Sequence, residues 1–353
     1  MGLSAAVQHV RHIAAMGLPD RMAIAAMVDA LEEVVPTRTR TFIWADADGM
    51  PCDTYDRDLI APAIDEYTAL SPRLAADPLA PSLDKMLHSA DEFGGWRRFT
   101  AMPGWDRSAL KNIIFAAYGI GNNLDFPIRD ARGRASSILT LGREPGSRAY
   151  TRREIAAVLS LRAHFLHAID SHAALSSAEV CGPDGEIEIV LVGGDGTVCS
   201  ASPRAVFMLY QLRSAAEPLP RIGHDLAPLQ VLEAASRLDQ ASEGLNRLPP
   251  SLEVTTRWGR FKIIAHLRTG SGEAVVSLQR LIPRRLRRLK RVAGFALSPR
   301  EQQVAVSMCN LGSGDAIAKS IGLSASTYRE YARRIYARLG VEGRAGVREL
   351  LDA

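Results

Sequence analysis

From Leu297 to Ala353, apolar residues recur at spacings of three and four, the period of helices with one buried face. Val304, Ala305, Met308 and Leu311 form the first stripe, which Gly312-Ser313-Gly314 ends. A second short helix is predicted from Asp315 to Ile321, followed by a turn at Gly322-Leu323-Ser324. The third, about Thr327 to Leu339, lines up Tyr328, Ala332, Ile335 and Leu339 and leaves Arg329, Glu330, Arg333, Arg334 and Arg338 facing outward. A fourth, Arg344 to Leu351, offers Val347, Leu350 and Leu351 to a neighbour. The start signals agree. Ser298 can cap the first helix, Pro299 loses no hydrogen bond there, and Glu301 can close a capping box; Ser324 or Ser326 can cap the third.

Upstream the pattern mixes periods of 3.6 and 2. An amphipathic helix is expected from Leu18 to Val35, a strand from Arg38 to Asp46 ending in the Asp48-Gly49 turn, and more helix from Ala61 to Leu70. Strands at Leu124–Arg129 and Ala135–Gly142 flank the turn Asp130-Ala131-Arg132-Gly133, and Thr151 with Glu154 opens a long helix ending near His172. A second unit then reads strand (Glu186–Val192), tight turn at Asp195-Gly196, strand (Thr197–Ser200) and helix (Pro203–Leu212). Three antiparallel strands, Leu252–Arg257, Phe261–Leu267 and Ala274–Leu281, complete it. This divides the chain into an α+β unit at 1–178, a second α+β unit at 183–283, a basic linker at 284–294 and an all-α unit of four helices at 295–353.

Charge sharpens the division. The net +4 of the 353 residues hides fourteen Lys/Arg against six Asp/Glu from Arg284 onward, with 29 basic and 33 acidic residues before it. A field concentrated on the terminal helices fits a polyanionic partner. No run of apolar residues is long enough to span a membrane and no leader pattern opens the chain, so a cytoplasmic location and no membrane partner are expected. Cys52, Cys181, Cys199 and Cys309 are scattered without metal-like spacing, which suits free thiols in a reducing compartment. His164 and His167, three apart, lack a third ligand nearby, and no metal or cofactor is assigned.

The terminal helices resemble the LuxR-type (GerE) DNA-binding domain. The resemblance runs through Leu297-Ser298-Pro299-Arg300-Glu301, Ile317-Ala318, Leu323-Ser324, Thr327 and Arg338-Leu339-Gly340-Val341. Asp315-Ala316 stands where the family usually has Lys-Glu, and Tyr328 and Tyr331 stand where it has Val and His. The resemblance implies a helix-turn-helix whose third helix enters the major groove. Arg329, Glu330 and Arg333 would then face bases, with Ser326 and Thr327 at the start of that helix in the DNA-facing set; Arg334 and Arg338, further round, suit phosphates. It also implies a homodimer formed through Val347, Leu350 and Leu351 on two-fold operator DNA. The first unit loosely resembles a GAF domain, and the second resembles a PAS domain through its order of strands and helices. Both imply a small-molecule effector, for which Trp44, Tyr55, Trp96 and Trp105 are the candidate pocket aromatics.

Other readings compete. Gly193-Gly194-Asp195-Gly196-Thr197 looks like the phosphate loop of diacylglycerol and NAD kinases, yet those continue into a helix where 198–202 reads as a strand. A haem- or redox-sensing regulator is the other alternative, although none of the eight histidines is singled out. Acyl-homoserine-lactone sensors are shorter and carry a Trp, Tyr, Asp and Trp set not found here. The expectation is therefore a transcription regulator that is not an enzyme.

Overall fold

The computed structural model describes residues 3–46, 51–56, 70, 105–129, 135–171, 173–176, 178–213, 221–245, 248–310 and 312–353. The Asp48-Gly49 turn, the expected helix over 61–69, Trp96, the 130–133 turn, His172, Leu311 and the Trp105 side chain lie outside these residues. The fold is α+β, with two antiparallel sheets and helices against them.

Helix α1 (Leu3–Ala14), not anticipated from the sequence, buries Ala6, Val7, Val10, Ile13 and Ala14, a single stripe. Helix α2 (Asp20–Ala30) differs in kind. Every residue from Met22 to Val28 is buried, as befits a helix apolar on all sides, and it lies against α1, the first sheet and a later helix. It is shorter than the expected span: the chain tightens into a 3-10 turn at Leu31–Glu33.

Strands β1 (Thr39–Ala45), β2 (Pro51–Asp56), β3 (Asn122–Arg129) and β4 (Ala135–Arg143) form one antiparallel sheet in the order β2-β1-β4-β3. The capping box of Thr151 and Glu154 is present and starts α3 (Arg152–Leu159). Buried Glu154 also receives Arg143 and Arg148. Burial alone would raise its carboxyl pKa, but these hydrogen bonds, with those from Thr151, bring it down to about 2. The expected single long helix is broken after α3 and resumes as α4 (Arg162–Ile169). At the break the Ser160 hydroxyl donates to the Ala157 carbonyl at 2.8 Å, and a serine bonding back in this way competes with the helical ladder.

The second sheet holds β5 (Cys181–Pro183), β6 (Glu188–Val192), β7 (Val198–Ala201), β8 (Ser251–Thr256), β9 (Gly259–Arg268) and β10 (Ala274–Pro283). Its order is β7-β6-β10-β9-β8, with β5 also on β10, so the first long strand lies beside the last. Helices α5 (Pro203–Leu212), capped by Ser202, and α6 (Leu229–Ser242) fall between β7 and β8. Along β9, Phe261, Ile263 and Ala265 are buried while Lys262 and His266 are exposed, the alternation of a half-buried strand.

The segment expected as a basic linker is a helix. α7 (Arg284–Ala293) follows β10 directly, with Pro283 as its N-cap, and buries Leu286, Leu289 and Val292 together with Arg288. The arginines that made the stretch look solvated alternate with a leucine stripe at a spacing of three, and that stripe decides the outcome. It packs on α8 (Pro299–Met308) and α11 (Gly343–Asp352), which with α9 (Gly314–Ser320) and α10 (Ala325–Leu339) make the terminal four-helix unit; α1 meets both α7 and α8.

Candidate functional site

The terminal unit is organised by its helix ends. Ser298 and Glu301 form the expected capping box of α8, and Ser313, not foreseen as a cap, accepts from Ala316 N to start α9. Between the two expected candidates, Ser324 caps α10: its hydroxyl accepts from Thr327 N at 3.1 Å and lies 2.8 Å from Thr327 Oγ1 and 2.9 Å from Ser326 Oγ. Gly322 before the helix and Gly340 after it are left-handed (φ 67° and 66°), which glycine adopts without strain.

Between these ends α10 separates two faces. Tyr328, Ala332 and Ile335 are buried, while Arg329, Glu330, Arg333, Arg334 and Arg338 are exposed, with Ser326 exposed and Thr327 half-buried at the start. Tyr328, in place of a smaller residue, is accommodated by Gly314: a Cβ there would come within 3.2 Å of its ring. The arginines are not equivalent. Arg334 pairs with Glu330 one turn back. Arg338 reaches across to the buried carboxylate of Glu301 at 2.6 Å, tying α10 to α8. Arg329 donates only to the Ala325 carbonyl at 3.2 Å, and Arg333 has no hydrogen bond or ion pair among the described residues.

The dimer expectation for α11 needs correction. Val347 and Leu351 are completely buried inside the unit and Leu350 is half-buried, so two of the three are spent on the domain's own core. Arg344 adds a tie of its own, donating to the carbonyls of Met308, Asn310 and Gly312 at 2.7–3.1 Å.

Of the candidate pocket aromatics, Tyr55 does line a cavity, and both Trp44 and Tyr55 join the first unit to the second. Trp44, 4% exposed, meets Trp258 edge-on at 5.8 Å and lies under the Arg21 guanidinium. Tyr55 stacks on Trp258 at 6.0 Å and meets Phe207 at 5.8 Å, while its hydroxyl donates to Asp29 Oδ1 at 2.6 Å. Beside them the buried carboxylate of Asp53 on β2 accepts from the Tyr210 hydroxyl at 2.6 Å and from Arg21 Nε at 2.5 Å, with Arg257 at 3.2 Å. Burial and the Asp53 carboxylate hold the Tyr210 phenol well above its usual range. None of Asp53, Arg21, Tyr210 and Trp258 stood out from the sequence, since they come from segments far apart along it. The available signal was the acidic Asp53 within the strand pattern of β2.

The glycine stretch 193–197 is a hairpin turn between antiparallel β6 and β7. Gly193 N–H bonds to Thr197 O, Gly196 N–H to Gly193 O, and Thr197 N–H to Asp195 Oδ1, so these amides are already used. Gly196 sits at φ 87°, and no helix begins at the turn. Among the described residues no group of three or more metal-ligating side chains occurs, and no helix is long and apolar enough to cross a membrane.

No family model matches the chain, and no curated protein matches it. Among solved structures, it is similar to the E. coli DhaR(N)–DhaL complex at 15% identity and TM-score 0.21, over 80% of this chain and 91% of that one. The sensor region of a sensor histidine kinase overlaps at 14% identity and TM-score 0.20, over 73% and 90% of the two chains. An extracellular ligand-binding receptor from Desulfohalobium retbaense overlaps at 11% identity and TM-score 0.17, over 79% of this chain and 39% of its own. Overlaps at these scores carry no functional argument.

Proposed function

We propose that the chain is a DNA-binding transcription regulator of the LuxR-like type, in which the two α+β units sense a small-molecule effector and the terminal helices bind operator DNA. The observation that carries this reading is α10, a 15-residue helix with one buried face and an opposite face on which Arg329 and Arg333, one turn apart, have no acidic partner among the described residues. Arginine presented from a helix in a major groove pairs bidentately with guanine O6 and N7. The short helix, left-handed glycine and capped longer helix agree with a helix-turn-helix. The order strand, strand, helices, three strands in the second unit agrees with the PAS-like reading. Against a phosphate-binding enzyme stands the hairpin geometry of 193–197. We place the protein in the cytoplasm, without a cofactor. In its homodimer on two-fold operator DNA, Leu350 is the surface contribution of α11.

The test is selection of a preferred duplex from a random library with the full chain, followed by titration of the selected and a scrambled duplex. Arg329→Ala and Arg333→Ala are each expected to cost about 1–3 kcal/mol on the selected duplex and much less on the scrambled one. Failure to enrich any duplex, or equal losses on both, overturns the reading. Arg338→Ala is a poor probe, because it also strands the Glu301 carboxylate.

A further inference from the structure

A cavity of about 320 Å³ lies where the first unit, the second unit and α7 meet. Pockets favour such junctions between domains. One wall is a single face of α5, with Arg204 at one end, Phe207 and Met208 in the middle and Gln211 at the other, the i, i+3, i+4, i+7 spacing of a helical stripe. The opposite walls bring three carboxylates, Asp29 from α2, Asp56 from β2 and Asp184 after β5, and two further cations, Arg280 from β10 and Lys290 from α7.

The donors divide into spent and unspent. Lys290 Nζ lies 2.8 Å from Asp184 and 3.5 Å from Asp29, and Arg280 lies 3.4 Å from Asp184 while donating to the Trp258 carbonyl at 2.9 Å. Arg204, half-exposed, has only its Nε near Glu188 at 3.5 Å, and its terminal nitrogens make no hydrogen bond to described residues. Its guanidinium lies over Gly185, where a Cβ would come within 2.9 Å of it. Gln211 is 2% exposed, and its Nε2 is buried with no hydrogen-bond partner among the described residues. A buried amide left unsatisfied is costly, and a ligand acceptor would recover that cost. Two unspent donors at the two ends of one wall, about 10 Å apart over seven helical residues, suit two separate oxygen acceptors. A lone anion, however, would enter among three carboxylates, and the three carboxylates and three cations of the lining balance to zero. The matching ligand therefore carries both signs a short distance apart, with an apolar part for Phe207 and Met208.

We propose that this cavity binds a small zwitterion of the amino-acid class, its carboxylate on Arg204, its ammonium among Asp29, Asp56 and Asp184, and a side-chain oxygen on Gln211. The ligand then touches α7 through Lys290. This site deepens the sensing half of the proposed function and rests on it, but its binding is measured without DNA, so either can fail while the other stands.

The experiment is thermal-shift and calorimetric titration of the full chain with individual amino acids, each beside its deaminated carboxylate and its decarboxylated amine. A ligand that binds only the folded state raises the melting temperature. At least one amino acid is expected to do so, with neither analogue matching it, and Gln211→Leu and Arg204→Ala are each expected to weaken binding about tenfold, the 1.4 kcal/mol of one hydrogen bond. The Arg204 variant, at the half-exposed mouth, keeps the test decisive should Gln211→Leu fail to fold. No shift with any amino acid, an equal shift with an analogue, or undiminished binding by Arg204→Ala overturns the assignment.

Discussion

Single residues in this protein carry costs that mark where chemistry and packing conflict. Asp125, within β3, is buried. Burial raises its carboxyl pKa to about 6, against the opposing hydrogen bonds from Thr140 at 3.0 Å and Asn123 at 2.6 Å. A carboxyl whose folded-state pKa lies above the ordinary 3.8 binds more protons folded than unfolded. Its stabilising contribution is therefore fully present below pH 3.8 and is lost as pH rises through about 6. Asp125→Asn removes the charge at neutral pH, so it is expected to raise stability there by up to about 3 kcal/mol and to change little near pH 4. Urea unfolding of both chains at the two pH values measures this; a gain at pH 4 equal to that at pH 7 would exclude the titration as its cause. Tyr328 has the simpler liability of a buried hydroxyl without a hydrogen-bond partner among the described residues. Tyr328→Phe keeps the ring on Gly314 and is expected to leave the melting temperature unchanged or slightly higher. A fall of several degrees would reveal a partner for that hydroxyl.

At the level of elements, the sequence was legible wherever local chemistry determines the structure. The capping boxes at Ser298/Glu301 and Thr151/Glu154 stand where expected, because a cap involves only residues three apart. The alternation of β9 and β10 and the two faces of α10 were equally legible, since burial on one side imposes its period on the chain. The break at Ser160, the burial of Val347 and the Asp53 network were not, because each depends on residues brought close in space and not on neighbours along the chain. α7 shows the difference within ten residues. Its arginines dominate the sequence, yet Leu286, Leu289 and Val292 dock it, and Arg288 clamps Asp352 of α11 with two hydrogen bonds of 2.6 Å. Leu289→Ser should cost about 2–5 kcal/mol of local stability, through lost burial and an unmatched hydroxyl. Hydrogen exchange reads it directly: amides of 286–293 are expected to be protected like those of α8 in the parent and to lose protection in the variant. Fast exchange of this segment in the parent protein would mean that it is not docked through its leucines.

Across the whole molecule, the two α+β units share one interior, and this governs how the protein should unfold. Trp44 and Tyr55 come from the first sheet, Phe207 and Tyr210 from α5, and Trp258 from the β8–β9 turn, where it is fully buried between them. The ionic core alongside crosses the same boundary, Asp53 from one side and Arg257 and Tyr210 from the other. Removing one partner of such a buried network leaves charge uncompensated, so neither unit presents an intact surface once the other opens. The junction cavity and α7 are built onto this seam, with Lys290 meeting Asp29 of the first unit and Asp184 of the second. The two α+β units should therefore unfold in one transition. Trp258→Ala, which empties the shared centre, is expected to cost about 3–5 kcal/mol and to lower that single transition without dividing it. Differential scanning calorimetry of the two proteins distinguishes the cases: two transitions from these units in the parent, or a Trp258→Ala variant in which only the second unit melts early, would mean that the units are independent and do not share a common core.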